Sequence, residues 1–234
     1  MQTLAGRLTA AHIRRGLPMP SRVGVGIRYV SEMGATPPPL HAHEEGLLGP
    51  QAIPRRRVFF ALGRAAARDA LRELGIEDVG IGRGEGGEPV WPTGVVGAIS
   101  HSPDVAVAVV GRLTDYAGLG IDVEEPTRGP TPRAARLVCR PAEMAWADPE
   151  SGTKRLTMLF SAKEAVFKAL FPIERVWLGF ADAELTWRAE REAFDARVLK
   201  SVGAGYPEGF QLEVNCTVGN GWVLSTVGVP ARSE

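Results

Sequence analysis

The chain has 234 residues, 44% of them apolar and 23% charged, and its 27 Lys+Arg balance 27 Asp+Glu for a formal net charge of zero. This balance excludes a strongly basic coat for non-specific nucleic-acid binding and an acidic disordered solvator, and the length allows one large domain or two half-sized ones. The longest uninterrupted apolar run, residues 105–110, is far short of the roughly 20 residues of a membrane span, and residues 1–15 lack the apolar stretch of roughly 7–15 residues that a secretory signal carries.

Residues 1–22 show no clear hydrophobic period. Residues 23–30 (VGVGIRYV) alternate and predict a first strand, followed by a Pro- and His-rich loop over 34–43 with Pro37-Pro38-Pro39 at its centre. Residues 55–74 turn helical: Phe59, Leu62, Ala66, Ala70 and Leu74 recur three or four apart, and Gly75 is placed as the C-terminal stop. A glycine-rich, acid-flecked loop (GRGEGGEP, 82–89) leads into Val90-Trp91-Pro92. Two strands are expected at 95–99 and 105–110, joined by a turn over Ser100-His101-Ser102-Pro103-Asp104, and a third at 118–124, ended by Pro126. Residues 127–149 predict a broken helix. The strongest helix spans about 153–171 and is expected to stop at Pro172. Three or four strands finish the chain, among them 210–216 and 222–227, joined as a hairpin through Asn220-Gly221. A helix followed by β structure occurs twice, at 55–110 and 153–227. That order predicts an α+β fold of two similar subdomains, 1–117 and 118–234, rather than a parallel βαβ fold. No sequence identity between the halves is evident.

On a strand over 118–124, Asp122 and Glu124 project to one side while Ile121 and Val123 face the core. Neighbouring carboxylates repel unless a cation lies between them, and Mg2+ prefers one or two carboxylates completed by water and substrate phosphate. The spacing alone does not identify a site, because Asp148-Pro149-Glu150 and Asp182-Ala183-Glu184 repeat it, and a solvated face is the ordinary alternative for each copy. In the long helix Glu164 and Lys168 stand four apart on one face. Either they form an exposed ion pair of about 0.3–0.5 kcal/mol, or Glu164 completes an acidic metal site with Lys163 and Lys168 beside a phosphate. Three of the chain's four Lys lie between 154 and 168, against 23 Arg in the whole chain, which weighs on the second reading and leaves both open.

His101 is expected in a turn, where histidine is usually a solvated polar residue. His41 and His43 have the spacing of a metal pair without a third ligand nearby. Arg56 and Arg64, eight apart, lie near one helix face, and Arg83 sits in the glycine-rich loop. A solvated helix face is the default for such arginines, and phosphate binding through their guanidinium forks is the sharper alternative. Cys139 and Cys216 have no neighbouring ligand and are expected as free thiols in a reducing cytoplasm.

Together, Pro89-Val90-Trp91-Pro92, Ala98-Ile99-Ser100-His101-Ser102, Gly120-Ile121-Asp122-Val123-Glu124 and Phe160-Ser161-Ala162-Lys163-Glu164-Ala165-Val166-Phe167-Lys168 resemble the motifs of the 4′-phosphopantetheinyl transferases. More narrowly the chain resembles the large, single-chain Sfp-type class and its enterobactin-synthase-component-D-like branch, which serves siderophore, peptide and polyketide synthases. The resemblance runs from about Glu44 to Leu170 and includes Arg56-Arg57, Arg64 and Gly87-Glu88-Pro89. It implies the 4′-phosphopantetheinyl transferase fold, two subdomains related by pseudo-twofold symmetry with the active site at their interface. The implied reaction transfers the phosphopantetheine arm of coenzyme A to a serine of an apo acyl or peptidyl carrier protein and releases adenosine 3′,5′-bisphosphate. Carried over, Asp122, Glu124 and Glu164 match the Mg2+ ligands, Lys163 and Lys168 lie next to the pyrophosphate, His101 contacts a coenzyme A phosphate, and Arg56, Arg64 and Arg83 serve the nucleotide end. Glu164 is then the base for the serine proton and Lys168 stabilises the leaving group. Phe160 stands where many relatives have Trp, and Arg83 where Lys is frequent. A cytoplasmic monomer without nucleic-acid or membrane partners is expected. The alternatives are a Mg2+-dependent phosphodiesterase built on the same acids and a carrier-binding module that has lost catalysis.

Overall fold

Two antiparallel sheets, each covered by one long helix, follow from the same order of strand, helix and hairpin. The computed structural model describes residues 6–18, 22–148 and 152–232. The first half contains α1 (Ala10–Arg15), β1 (Val23–Tyr29) and α2 (Pro54–Glu73). A minimal ladder of β2 (Gly82–Arg83) and β3 (Pro89–Val90) follows, then β4 (Val95–His101) and β5 (Val105–Arg112), and the sheet order is β1-β5-β4. The second half contains β6 (Tyr116–Glu124), the short helices α3 (Ala135–Val138) and α4 (Pro141–Ala147), and the long α5 (Lys154–Glu174). Its remaining strands are β7 (Ala183–Arg188), β8 (Ala193–Val198), β9 (Gln211–Val218) and β10 (Val223–Pro230), in the sheet order β6-β10-β9-β8-β7. Every pairing in both sheets is antiparallel, so the fold is α+β.

In connectivity, β1, α2, β4 and β5 correspond to β6, α5, β9 and β10: in each set the first strand pairs with the last, and the last with the one before it. The correspondence reaches the backbone. A Cβ on Gly24 or Gly26 of β1 would fall 1.9 or 1.8 Å from the carbonyl oxygens of Ala70 and Ala66 in α2. A Cβ on Gly118 or Gly120 of β6 would fall 2.1 or 1.9 Å from those of Ala169 and Ala165 in α5. Helix therefore lies on strand at backbone distance, at two positions four residues apart on each helix. Gly24-Val25-Gly26-Ile27 and Gly118-Leu119-Gly120-Ile121 are its sequence trace, so the halves do share a short signature, contrary to the expectation above. Gly26→Ala is expected to destabilise the fold by about 1–3 kcal/mol through overpacking. Urea denaturation measures it, and an unchanged midpoint would rule out the close approach.

The core joins the halves. Leu119, Ile121 and Val123 of β6 pack in one cluster with Val25, Val96 and Val107 of the first sheet, and Leu8, Ile13 and Leu17 around α1 close that cluster. Helix α1 lies where the sequence shows no period, because its burial rests on few residues. At the seam β4 lies beside β6, and the Ser100 hydroxyl links them: it accepts the Val123 N–H (3.3 Å) and donates to Asp122 Oδ1 (2.8 Å).

Two boundaries near the site differ from expectation. Strand β4 continues through Ser100 and His101, so the turn is shorter and His101 stands on a strand end. Helix α5 passes Pro172 and ends at Arg175, whose backbone is left-handed (φ 54) and whose N–H reaches the Phe171 carbonyl at 2.8 Å. Within the last turn Pro172 forfeits only one helical bond, and the buried Leu170 and Phe171 hold the turn in place. Among the described residues, no helix is long and apolar enough to cross a membrane. Cys139 and Cys216 are free thiols.

Candidate active site

Strand β6 passes beneath α5 with Gly118, Gly120, Asp122 and Glu124 on the helix side and Leu119, Ile121 and Val123 in the core, as strand alternation requires. The Asp122 side chain is only 3% exposed, and its Oδ1 accepts from Ser100 Oγ and from Lys168 Nζ (2.6 Å). Lys168 Nζ also reaches Ser100 Oγ at 3.0 Å, so its ion pair runs across to β6 instead of along the helix to Glu164. Asp122 Oδ2 is buried and has no hydrogen-bond partner among the described residues. Glu124 is pushed up to about 7, first by burial and then by the charge of Asp122, with Glu164 adding to the effect and Lys168 opposing it. Burial also raises Glu164, with Lys168 opposing and Asp122 reinforcing. The three carboxylates thus share one field with Lys168 among them. They do not form a ready-made cage: among the described residues no three His, Cys, Asp or Glu side chains converge as a metal cluster.

Beside this acidic floor lies a cavity of about 610 Å3 whose wall includes Arg55, Arg56, Arg64, Arg83, His101 and Glu124. Arg64 is 6% exposed; it donates to the Gly82 carbonyl (2.9 Å), lies 4.5 Å from the Phe60 ring centroid, and is pushed down to about 10, chiefly by burial. The His101 ring stacks on Phe59 with centroids 4.8 Å apart. Burial of its stacked side and the charge of Lys168 hold it below the usual histidine value. The far wall comes from the segment after the Pro-rich loop, through Leu48 and Ile53. That segment is pinned at both ends. Glu44, fully buried, accepts the backbone N–H groups of His41 and Ile81 and pairs with Arg68, while Arg57 donates to the carbonyls of Pro50 (2.8 Å) and Ala52 (3.0 Å). His41 Nδ1 accepts the His43 N–H, so these two histidines shape a turn.

Lys163 stands apart from Asp122, Glu124 and Lys168, although it borders the smaller cleft beside Glu164. Its ammonium is 2% exposed and spends its three donors on the carbonyls of Val138 (2.9 Å) and Phe180 (2.8 Å) and on Glu143 Oε2 (2.7 Å). The expectation of a phosphate contact is thereby corrected: five residues from Lys168, Lys163 leaves α5 on another side. A smaller cleft of about 260 Å3 opens on the far side of Glu164, with Val166, Phe167, Trp177 and Phe180 on its wall. Of the other Asp-x-Glu repeats, Asp182 caps the Gly179 N–H (2.8 Å) away from Asp122, and Pro149 and Glu150 of the third lie outside the described residues.

Comparison with known proteins matches residues 42–111 to the 4′-phosphopantetheinyl transferase N-terminal domain and residues 118–218 to the 4′-phosphopantetheinyl transferase superfamily. A 4′-phosphopantetheinyl transferase of Nocardia iowensis is 37% identical over 169 residues, 71% of this chain and 75% of that protein. One of Streptomyces mobaraensis is 37% identical over 198 residues, 80% of this chain and 78% of that protein. The chain belongs to the 4′-phosphopantetheinyl transferase superfamily. Enterobactin synthase component D of Salmonella typhimurium is 36% identical over 136 residues, 56% of this chain and 55% of that protein, and the Sfp-like type is borne out.

Three features in and behind this transferase's site escaped the sequence. Ser100 was legible had the alternation Val96, Ala98, Ser100 been carried past Ile99, since it keeps β4's period. The stacking of Phe59 on His101 joins residues 42 apart and left no local signal. Glu143 carries the pattern of a helix-start acid after Pro141, and it does accept the Arg140 N–H (2.6 Å); its second partner, Lys163, lies 20 residues away.

Proposed function

We propose that the transferase binds coenzyme A across the seam between its two sheets and passes the 4′-phosphopantetheine to a serine hydroxyl of an apo acyl or peptidyl carrier protein, releasing adenosine 3′,5′-bisphosphate. The observation that carries this reading is an acidic, lysine-bearing floor set between a cationic cavity and an apolar cleft. Coenzyme A has the same order of chemistry. Its phosphorylated nucleotide suits Arg56, Arg64, Arg83 and His101, its pyrophosphate suits the floor, and its neutral pantetheine arm suits the cleft beside Glu164 and Phe167.

The acids fit a divalent cation. Asp122 Oδ2 lacks a partner among the described residues, and Glu124 is driven toward its neutral form first by burial and then by the charge of Asp122, both of which a cation would offset. No closed cage is needed, because Mg2+ keeps several waters and takes substrate phosphate as ligand. We assign Asp122, Glu124 and Glu164 as the residues that would hold it, and a divalent cation there would supply charge to offset that on the pyrophosphate. Glu164, its pKa raised by burial, takes the proton from the serine Oγ as that oxygen bonds to the β-phosphorus. The phosphorus–oxygen bond to the nucleotide breaks, its electron pair leaves with the bisphosphate, and Lys168 meets that charge.

The repeated connectivity and the paired Gly-x-Gly contacts support two subdomains, 1–117 and 118–234, related by a pseudo-twofold axis with the site between them. One chain then supplies both sides of the site and works as a monomer, and coenzyme A as substrate places it in the cytoplasm. Incubation with coenzyme A, Mg2+ and a panel of apo carriers, read by intact mass, tests the assignment. Carriers gaining one phosphopantetheine are expected; phosphopantetheine released to water instead would establish the phosphodiesterase alternative. Chelation by EDTA is expected to stop the mass gain and added Mg2+ to restore it, so undiminished transfer in EDTA would remove the metal from the assignment.

A further inference from the structure

The glycine-rich loop that carries Arg83 is tied to the opposite half of the molecule. Its ends are closed by the Gly84 N–H donating to the Glu88 carbonyl (2.8 Å). The Glu88 side chain then folds back across the loop: a Cβ on Gly84 would lie 2.0 Å from Oε1, and one on Gly86 3.0 Å from Oε2. Both carboxylate oxygens are shut off from solvent and make no hydrogen bond among the described residues. Their charge is met by Arg175, whose Nη1 lies 2.9 Å from Oε1 without the alignment of a hydrogen bond. Arg175 is the left-handed cap of α5, and the same helix end supplies Phe171, whose Cζ would lie 2.9 Å from a Cβ on Gly86. Two and three turns earlier, α5 carries Lys168 and Glu164. At the other end of the loop the Arg83 guanidinium lies over Gly87, 3.5 Å from where a Cβ would sit.

We propose that Glu88 is a positioning residue: paired with Arg175, it fixes the glycine-rich loop against the end of α5 and so holds Arg83 in place in the cavity for the bisphosphate nucleotide of coenzyme A. The inference rests on the coenzyme reading above. Four of the seven residues 82–88 are glycine, so the untethered loop has wide conformational freedom. A carboxylate withdrawn from water is unfavourable unless a cation meets it, which makes the Arg175 contact the condition for this loop shape. When a binding-competent shape is only partly populated, apparent affinity falls by that fraction. The tie therefore acts on nucleotide affinity and leaves the phosphoryl-transfer chemistry to other residues.

The test is a double-mutant cycle with Arg83, read by calorimetric titration with adenosine 3′,5′-bisphosphate and by steady-state kinetics with coenzyme A and an apo carrier. Glu88→Gln and, separately, Arg175→Met are expected to weaken bisphosphate binding and raise the KM for coenzyme A about tenfold, with kcat falling by less than about threefold. In an Arg83→Met background, Glu88→Gln is expected to add almost nothing, because the residue it positions is gone. Arg175, with a side chain 60% exposed, gives a variant that keeps the fold if Glu88→Gln lowers the melting temperature too far. Wild-type affinity in folded Arg175→Met, or an undiminished effect of Glu88→Gln in the Arg83→Met background, would overturn the proposal. A wild-type protein that does not bind adenosine 3′,5′-bisphosphate at all would instead overturn the coenzyme reading on which it stands.

Discussion

Glu164→Gln is expected to lower kcat by about 100- to 10,000-fold, the range of a positioned general base, while affinity for adenosine 3′,5′-bisphosphate stays within about threefold. The amide keeps the volume of the carboxylate and cannot take the serine proton. The nucleotide end is expected to be indifferent, because the wall of the large cavity is built by the arginines of the first half and by Glu124, whereas Glu164 borders the apolar cleft. Burial raises the Glu164 pKa from its ordinary value, with Lys168 opposing the rise and Asp122 adding to it, and a raised pKa makes the carboxylate a stronger proton acceptor. Single-turnover transfer at saturating coenzyme A, followed by intact mass, measures the loss. Turnover within about tenfold of wild type would remove Glu164 from the base role and leave it as a metal ligand only.

Lys163→Met is expected to cost about 3–5 kcal/mol of stability, the range seen when one partner of a buried ion pair is removed. Its ammonium and the Glu143 carboxylate are 2% and 1% exposed. Glu143 is further committed to the backbone N–H groups of Arg140 (2.6 Å) and Leu185 (2.7 Å), so it has no route to water when the lysine is gone. The carbonyls of Val138 and Phe180 lose their donor in the same step. Through these contacts Lys163 gathers α3, α4 and the segment after α5 around the back of the helix that carries Glu164. The double variant Lys163→Met with Glu143→Gln is expected to recover at least part of the loss, since an amide without a counter-charge is less unfavourable than a carboxylate. Urea denaturation measures both. A stable Lys163→Met protein with a raised KM for coenzyme A would overturn this assignment and return Lys163 to the phosphate.

The two lysines, five residues apart, mark the limit of local reading. On a helix of 3.6 residues per turn Lys168 lies about 40° from Glu164 and Lys163 about 140° from Lys168, so the period already separates them. The spacing does not say what each meets. Lys168 finds Asp122, 46 residues earlier, and Lys163 finds Glu143, 20 residues earlier. The same geometry carries a tie of opposite polarity in the first half. Two residues after the second glycine of β1, Arg28 pairs with Asp69 of α2 (Nε to Oδ2, 2.5 Å), where β6 and α5 place Asp122 and Lys168. Acid and base have exchanged elements, so the strand-to-helix ties of the two halves stand at matching sequence positions, while of the two carboxylates Asp122 has an oxygen without a partner among the described residues.

By itself the sequence determined the directions of side chains. Period two put Asp122 and Glu124 on one face of a strand, and period 3.6 put Glu164 and Lys168 on one face of a helix. Only the tertiary structure decided that Asp122-Val123-Glu124 meets those helix residues, which lysine is spent in the core, and that the segment after the Pro-rich loop walls the cationic cavity. The division has one physical cause. A side chain's exit from the backbone follows from the few dihedral angles of its own element, whereas its environment is built by segments tens of residues away whose burial and charge neutralisation are settled only when the chain packs.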